Sequence, residues 1–327
     1  MLHYVPFYFH TGMKRFLIVN LLLTTISPVC AGTFAVITNQ GSDNVSIINL
    51  DQREVIATIP VGHRPAGVAV SNTRHRAYVS NPESKNISVI DLEKLKLLEN
   101  IPVGDGPLGI AAHPDGHEIY IADWYKHEIS VLAADTLEIT AVIPVGFSPS
   151  GIAVMPDGKY LYVSNRDDDN VMKINIRDRK VIKTIPAGKA PFGITCSTDG
   201  DQVYVANVQS GDISIIDTDT DTLIKTVKVG LFPYAIAHDK PGKRLFVTNQ
   251  KDSNLSVIDL ETYQETGKIM VGEYPEGIDI DPEYRFIYVA NWFDDMVSVI
   301  DLQTLETIDK IETGSGSRAY GDFIYSN

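Results

Sequence analysis

The sequence predicts an all-β ring of seven four-stranded units, on three observations. First, one pattern returns at a constant spacing of 42 residues. Tyr78-Val79-Ser80-Asn81 becomes Tyr120-Ile121-Ala122-Asp123, Tyr162-Val163-Ser164-Asn165, Tyr204-Val205-Ala206-Asn207, Phe246-Val247-Thr248-Asn249 and Tyr288-Val289-Ala290-Asn291, with an earlier copy ending at Asn39. Second, each unit holds four strand signals. Gly109 to Ala112 is a short apolar strand A, and His113-Pro114-Asp115-Gly116 is a tight turn by its proline and glycine chemistry. Glu118 to Ala122 is strand B, Glu128 to Leu132 strand C and Ile139 to Val145 strand D; β-branched and aromatic residues suit a pleated surface, and no period of 3.6 appears. A four-stranded repeat of about 40 residues is the signature of a propeller blade.

The third observation is the phase of the repeat. The first unit begins with strands B, C and D (Phe34 to Asn39, Val45 to Leu50, Val55 to Val61), and the chain finishes on an A-like segment, Arg318 to Ile324. Pairing the two ends completes the first blade and removes two open sheet edges, each a template for aggregation. The expected architecture is therefore a closed seven-bladed β-propeller over residues 32–327, with the C-terminal strand completing the first blade.

The register Tyr-Val-Ser/Ala/Thr-Asn, then Ser-Val-Ile-Asp-Leu, then Ile-Pro-Val-Gly resembles the YVTN family of β-propeller repeats; Arg244 to Asn249, Leu255 to Leu260 and Val271-Gly272 show one copy. The likeness runs over residues 32–324. It is similar to exported bacterial propellers of the YncE type and to propellers encoded with quinone- or cytochrome-dependent oxidation systems. It implies the fold strongly and function only broadly, as binding or assembly. The Pro-x-Gly before strand A and the Tyr/Phe-Val of strand B recur in the units, so they read as scaffold.

Residues 1–31 read as a signal peptide. Lys14-Arg15 is a basic start, Phe16 to Ile26 is an apolar run too short to span a bilayer, and Val29-Cys30-Ala31 suits cleavage before Gly32. Met13 is an alternative start, and a lipid anchor on Cys30 is the rival reading. Cleavage leaves Cys196 as the one cysteine, so no internal disulfide is expected, and its apolar setting reads as a buried thiol. The expected location is the periplasm or the medium, as a monomer with no membrane span after cleavage. A formal charge of −14 gives a sequence-independent grip on nucleic-acid phosphates little electrostatic support, and no nucleic acid is expected.

Residues that depart from the repeat carry the functional information. The position after the strand-B Asn or Asp holds Trp124 and Trp292, both tryptophans of the chain, where other units have Gln40, Pro82, Arg166, Val208 and Gln250. Strand direction puts the B–C and D–A loops on one face. Tyr125, His127, Arg166, Asp168, Phe293 and Asp294 join the tryptophans there, with Phe192, Tyr234 and Tyr274 from the D–A loops and Arg318 from the closing segment. Aromatics mixed with charges mark binding surfaces. This face is expected to take a protein partner or a small molecule of the cell envelope.

Other clusters read more plainly. His113 and His117 span a turn, so helical metal-ligand spacing does not apply, and they read as turn-solvating. Asp167-Asp168-Asp169-Asn170 offers oxygen ligands for calcium but reads as a solvated loop. Asp279 intrudes on strand A, where other units have Ala or Thr, and is either functional or satisfied locally. No Gly-x-Ser-x-Gly elbow, phosphate loop or haem attachment motif occurs, and no cofactor or metal is expected. The expected function is an exported binding or assembly protein, as an accessory to a periplasmic redox pathway. The alternative is a lactonase-like hydrolase at the channel mouth, with Asp279, Glu276, Arg318 and His63 as its groups.

Overall fold

A computed structural model describes residues 32–326, and the signal-peptide reading of residues 1–31 lies outside them. Seven antiparallel four-stranded sheets form the ring, each in the order A-B-C-D. Blade 2 is typical: Val68–Ser71, Arg76–Asn81, Asn86–Asp91 and Lys96–Pro102. Strand B is buried along its length, whereas strand D alternates or faces solvent and keeps one apolar anchor, such as Ile59, Ile101 or Ile143, inside. The outer strand thus solvates its edge while the central strands form the inter-blade core.

The repeated residues have specific work. The strand-B asparagines are fully buried, and each amide ties together groups a few residues away. Asn81 Nδ2 donates to Asn86 Oδ1 at 2.8 Å and to Ser88 Oγ at 2.9 Å; Asn39, Asn207 and Asn249 repeat both bonds. In blade 3 Asp123 replaces the amide, and its carboxylate accepts the backbone N–H groups of Asp105, Gly106, Tyr125 and Lys126 instead. In three blades a hydroxyl of the pattern reaches the next blade: Thr38 Oγ1 donates to Ala66 O at 3.0 Å, Ser80 Oγ to Leu108 O at 2.6 Å and Thr248 Oγ1 to Glu276 O at 3.0 Å. Glycine in Pro-x-Gly lets neighbouring inner strands touch, since a Cβ on Gly193 would lie 2.0 Å from Tyr234 O.

Ring closure follows the expected phase but in a different register. The paired strand is Ile324–Ser326 against Thr33–Asn39, not Arg318 to Ile324. Ser317 bridges Asn39, as a strand-A start should, and the chain then bulges through Gly321, whose φ is +118°. Inside the bulge Val68 N donates to Tyr320 O at 2.8 Å and Val70 N to Asp322 O at 3.1 Å, so the closing segment also bonds to strand A of blade 2. Phe323 and Tyr325 are fully buried in the same core cluster as Val36, which stands where the other blades have Tyr or Phe.

Deletion of the chain from Arg318 onward removes ladder bonds to two blades and uncovers that core. The expected cost is several kcal/mol, read as a large fall in melting temperature. An unchanged melt would disprove the closure.

Candidate functional site

The B–C and D–A loops do share a face, because the B–C loop of one blade bonds to the preceding D–A loop. Asp168 Oδ2 accepts Phe147 N–H at 2.8 Å, Asp294 Oδ2 accepts Glu273 N–H at 2.7 Å, and Ser84, Ser210, Asp252 and Ser42 make the same bond in their blades. The next position behaves alike: His127 Nδ1 accepts Ser148 N–H at 3.1 Å, as Asp43 accepts Arg64 N–H and Asp169 accepts Ala190 N–H. Asp168, Asp294 and His127 therefore serve the scaffold. The calcium arrangement is not formed either, since Asp167, Asp168 and Asp169 point at separate partners: Ser148, Phe147 and Ala190.

The remaining residues separate into two groups. Phe192, Tyr234 and Tyr320 pack with centroids 4.5–5.5 Å apart and are at most 7% exposed, closing the channel with an aromatic plug. Tyr320 OH donates to Phe192 O at 3.0 Å. Beside the plug, Arg318 Nε lies 2.8 Å from Glu276 Oε2, its Nη2 donates to the Tyr234 hydroxyl, and Gln250 Nε2 donates to Glu276 Oε1 at 2.9 Å. Burial pushes the Glu276 carboxyl upward, opposed by Arg318 and Gln250. Trp124 leans on Phe192 at 6.3 Å, and the Arg166 guanidinium lies 5.7 Å from the Trp124 ring.

Trp292 belongs elsewhere on the face. It stacks with Tyr274 and Phe293 at 5.9 and 4.6 Å, and its Nε1 donates to Gln40 Oε1 at 3.2 Å. A pocket of about 320 Å³ opens beside Trp124, with Tyr125, Phe192 and Leu108 as its apolar wall and Arg64 and Arg318 at its rim. Tyr125 is 69% exposed there, a large aromatic held out of the core. Gln40 lines this pocket and is the link to Trp292. Arg64, Leu108 and Gln40 were readable only as loop positions, because nothing local says that they converge.

The opposite mouth is polar. A chamber of about 290 Å³ enters the channel from the A–B turns, lined by Ser197, Thr198, His238, Asp279 and Asp322, and ends in a cavity of about 40 Å³ against Tyr320. Cys196 also lines it: the residue is partly exposed, its Sγ lies 3.6 Å from Met155 Sδ, and burial raises the pKa of the thiol. Asp279 is satisfied locally, with Oδ2 accepting Phe323 and Ile324 N–H at 3.1 and 3.0 Å, so it holds the closing bulge. Asp322, exposed, projects into the chamber from that bulge. The crowding of protein around Asp279, and then the Asp322 charge, push its carboxyl up to about 7.

The four groups considered for hydrolysis do not converge. Glu276 and Arg318 are paired beside the plug and Asp279 is in the chamber, while His63 is exposed on the loop face, 2.8 Å from Asp43.

Arg318→Ala strands the buried Glu276 carboxylate and is expected to cost about 3–5 kcal/mol in denaturant unfolding, with Arg318→Ala/Glu276→Gln recovering part of it. The native state retains the Asp279 proton above pH 3.8, where the unfolded chain releases it, so stability falls as pH rises from about 4 to about 7. Asp322→Asn removes the repulsion. It should flatten that decline and stabilise the protein at about pH 8 by on the order of 1 kcal/mol, channel water screening the rest. Urea midpoints across the range check this.

A family model described as "Lactonase, 7-bladed beta-propeller" matches residues 91–228, from the end of strand C in blade 2 to the end of blade 5. Hydrazine synthase of Kuenenia stuttgartiensis is similar in structure, with 21% identity, 87% of this chain and 99% of that one covered, and a TM-score of 0.76. A functionally unknown protein from Desulfotomaculum acetoxidans is 16% identical, covering 88% of this chain and 99% of its own, with a TM-score of 0.76. Dihydro-heme d1 dehydrogenase NirN in complex with DHE is 16% identical over 90% of this chain and 75% of that one, with a TM-score of 0.66. No curated protein sequence matches. The chain is a seven-bladed β-propeller that resembles the lactonase type over residues 91–228.

Proposed function

We propose that this propeller is a binding module of the cell envelope, accessory to a redox pathway, and that its ligand is a small organic anion with a planar ring. One observation carries the reading: the pocket of about 320 Å³ sets an apolar wall of Trp124, Tyr125 and Phe192 against the guanidinium groups of Arg64 and Arg318. Ligand pockets are typically of this size, mostly apolar, with a few polar groups that fix orientation. The two guanidinium groups are already balanced: Arg64 Nε lies 3.2 Å from Glu83 Oε1, and Arg318 faces Glu276. Arg64 is half exposed on the rim, so an arriving anion competes with Glu83 for a solvated partner. The fold likenesses to hydrazine synthase and to a dehydrogenase in complex with DHE support a redox setting, and the redox link rests on them.

A hydrolase is the second reading, favoured by the lactonase-type match over residues 91–228. That segment contains none of Asp279, Glu276 and Arg318. Lactone hydrolysis lost in Asp279→Asn, with folding intact, would establish it over the binding reading.

Anilinonaphthalene sulfonate, a planar aromatic anion, is the probe for the pocket. Trp124→Ala is expected to weaken its binding to the native protein by about 1–3 kcal/mol, the range of an anchor residue, with a smaller effect from Trp292→Ala, which acts only through Gln40. Arg64→Ala should raise the dissociation constant and reduce its salt dependence. Titration at a temperature well below each melt decides it: equal affinity in wild type and Trp124→Ala removes the pocket from the function.

A further inference from the structure

The A–B turn of blade 3 brings two histidines together around a turn carboxylate. Gly116, at φ +77°, closes the turn with its N–H on His113 O at 2.8 Å. Asp115 does what its counterparts do, accepting the N–H two residues on: Asp115 Oδ1 takes His117 N–H at 3.1 Å and Asp157 Oδ1 takes Lys159 N–H at 3.0 Å. The histidines are what this blade adds. The positions of His113 hold Ser71, Met155, Ser197, Asp239 and Asp281 elsewhere, and those of His117 hold His75, Lys159, Asp201, Lys243 and Arg285.

The hydrogen bonds fix the tautomer of His113. Its Nε2 lies 3.0 Å from Gly158 O, and a carbonyl oxygen only accepts, so Nε2 carries the hydrogen. The backbone N–H of Asp115 donates toward Nδ1 at 3.3 Å, as it would to a lone pair. In the neutral ring that lone pair faces Asp115 Oδ1 at 2.6 Å, so two acceptors meet with no hydrogen between them. His117 Nδ1 also converges on the same oxygen, and the two rings lie 4.1 Å apart. A cation belongs at this point. His113 is 9% exposed and anchored by its outer N–H on a backbone carbonyl, the arrangement that orients a metal-ligating imidazole.

We propose that His113 Nδ1, Asp115 Oδ1 and His117 Nδ1 form a binding site for a borderline divalent transition metal, with water completing the shell. The three atoms lie within 4.8 Å of one another. Tetrahedral zinc, with ligands at about 2.0–2.1 Å, separates neighbouring ligand atoms by about 3.3 Å, so each contact of the cluster opens by about 1 Å to admit it. Rotation of the exposed Asp115 and His117 side chains supplies that opening, with His113 as the fixed point. Imidazole and carboxylate donors suit zinc, nickel or copper rather than calcium or magnesium. The site is on the face away from the Trp124 pocket and does not depend on what that pocket binds.

The test is calorimetric titration of the full chain, without a polyhistidine tag and after chelator treatment, with zinc alone. One zinc per chain is expected, with an accompanying rise in melting temperature. His117→Ala, an exposed change that leaves His113 anchored, should weaken binding at least about ten-fold, and so should Asp115→Asn. His63→Ala, on the opposite face, should leave it unchanged. Equal binding by wild type and His117→Ala overturns the proposal. So does an absence of zinc binding with imidazole NMR showing His113 doubly protonated at neutral pH, which would make a proton the cation between His113 and Asp115.

Discussion

Six of the seven blades each hang on one buried side-chain amide. The strand-B asparagine is fully buried, and in Asn39, Asn81, Asn207 and Asn249 its two N–H bonds reach the residues five and seven positions on, which open strand C and sit one pleat within it. Placed at the loop end of the sheet, this clamp sets the B–C hairpin, and the glycine after the preceding strand D packs against it: a Cβ on Gly62 would lie 2.7 Å from Asn81. The amide therefore couples one blade to the next, and a buried polar group so used is costly to replace by anything that cannot make the same bonds. Blade 3 shows the tolerance of the device, since Asp123 inverts it and gathers four backbone donors around a carboxylate.

The clamp leaves freedom at the positions just beyond it, and those positions decide what the loop face displays. Some of that freedom is used structurally. Asp168, Asp294 and His127 accept N–H groups from a neighbouring loop, and serine replaces aspartate at the equivalent place in other blades because only an acceptor is required. Trp124 and Tyr125 are under no such obligation. They stand at the edge of an aromatic plug formed by Phe192, Tyr234 and Tyr320, which divides the channel into an apolar, arginine-rimmed pocket on one side and a polar chamber on the other.

The closing segment shapes both compartments. Its bulge carries Tyr320 into the plug and Asp322 into the chamber, while Arg318 at its start pairs with Glu276. Asp279, from blade 7, fastens the bulge by accepting two of its N–H groups. The joint that seals the ring thus also furnishes its channel, which couples closure to the protonation of Asp279.

Blade number, strand order, the composite first blade and the division of loops into two faces were all legible in the sequence, because the contacts behind them repeat. Asn81 to Asn86 and Ser88 is a local arrangement, and a local arrangement copied from blade to blade appears as a period. Asp279 was legible as an exception, though not as the fastener of the closing bulge. The plug, the pocket and the turn-face cluster were not legible, nor was the scaffold duty of Asp168, Asp294 and His127. Their bonds join different blades or depend on which ring nitrogen faces which oxygen: Tyr320 reaches Phe192 across 128 residues of chain, and His113 reaches Gly158 across 45. Asp322 lies in a bulge outside the 42-residue register, so no repeat column contained it. The sequence by itself determined the ring, since periodic burial and hairpin bonding are encoded within each unit. Only the closed tertiary structure decided where the channel is blocked and which side chains meet, because those neighbours exist only after seven blades have been brought around one axis.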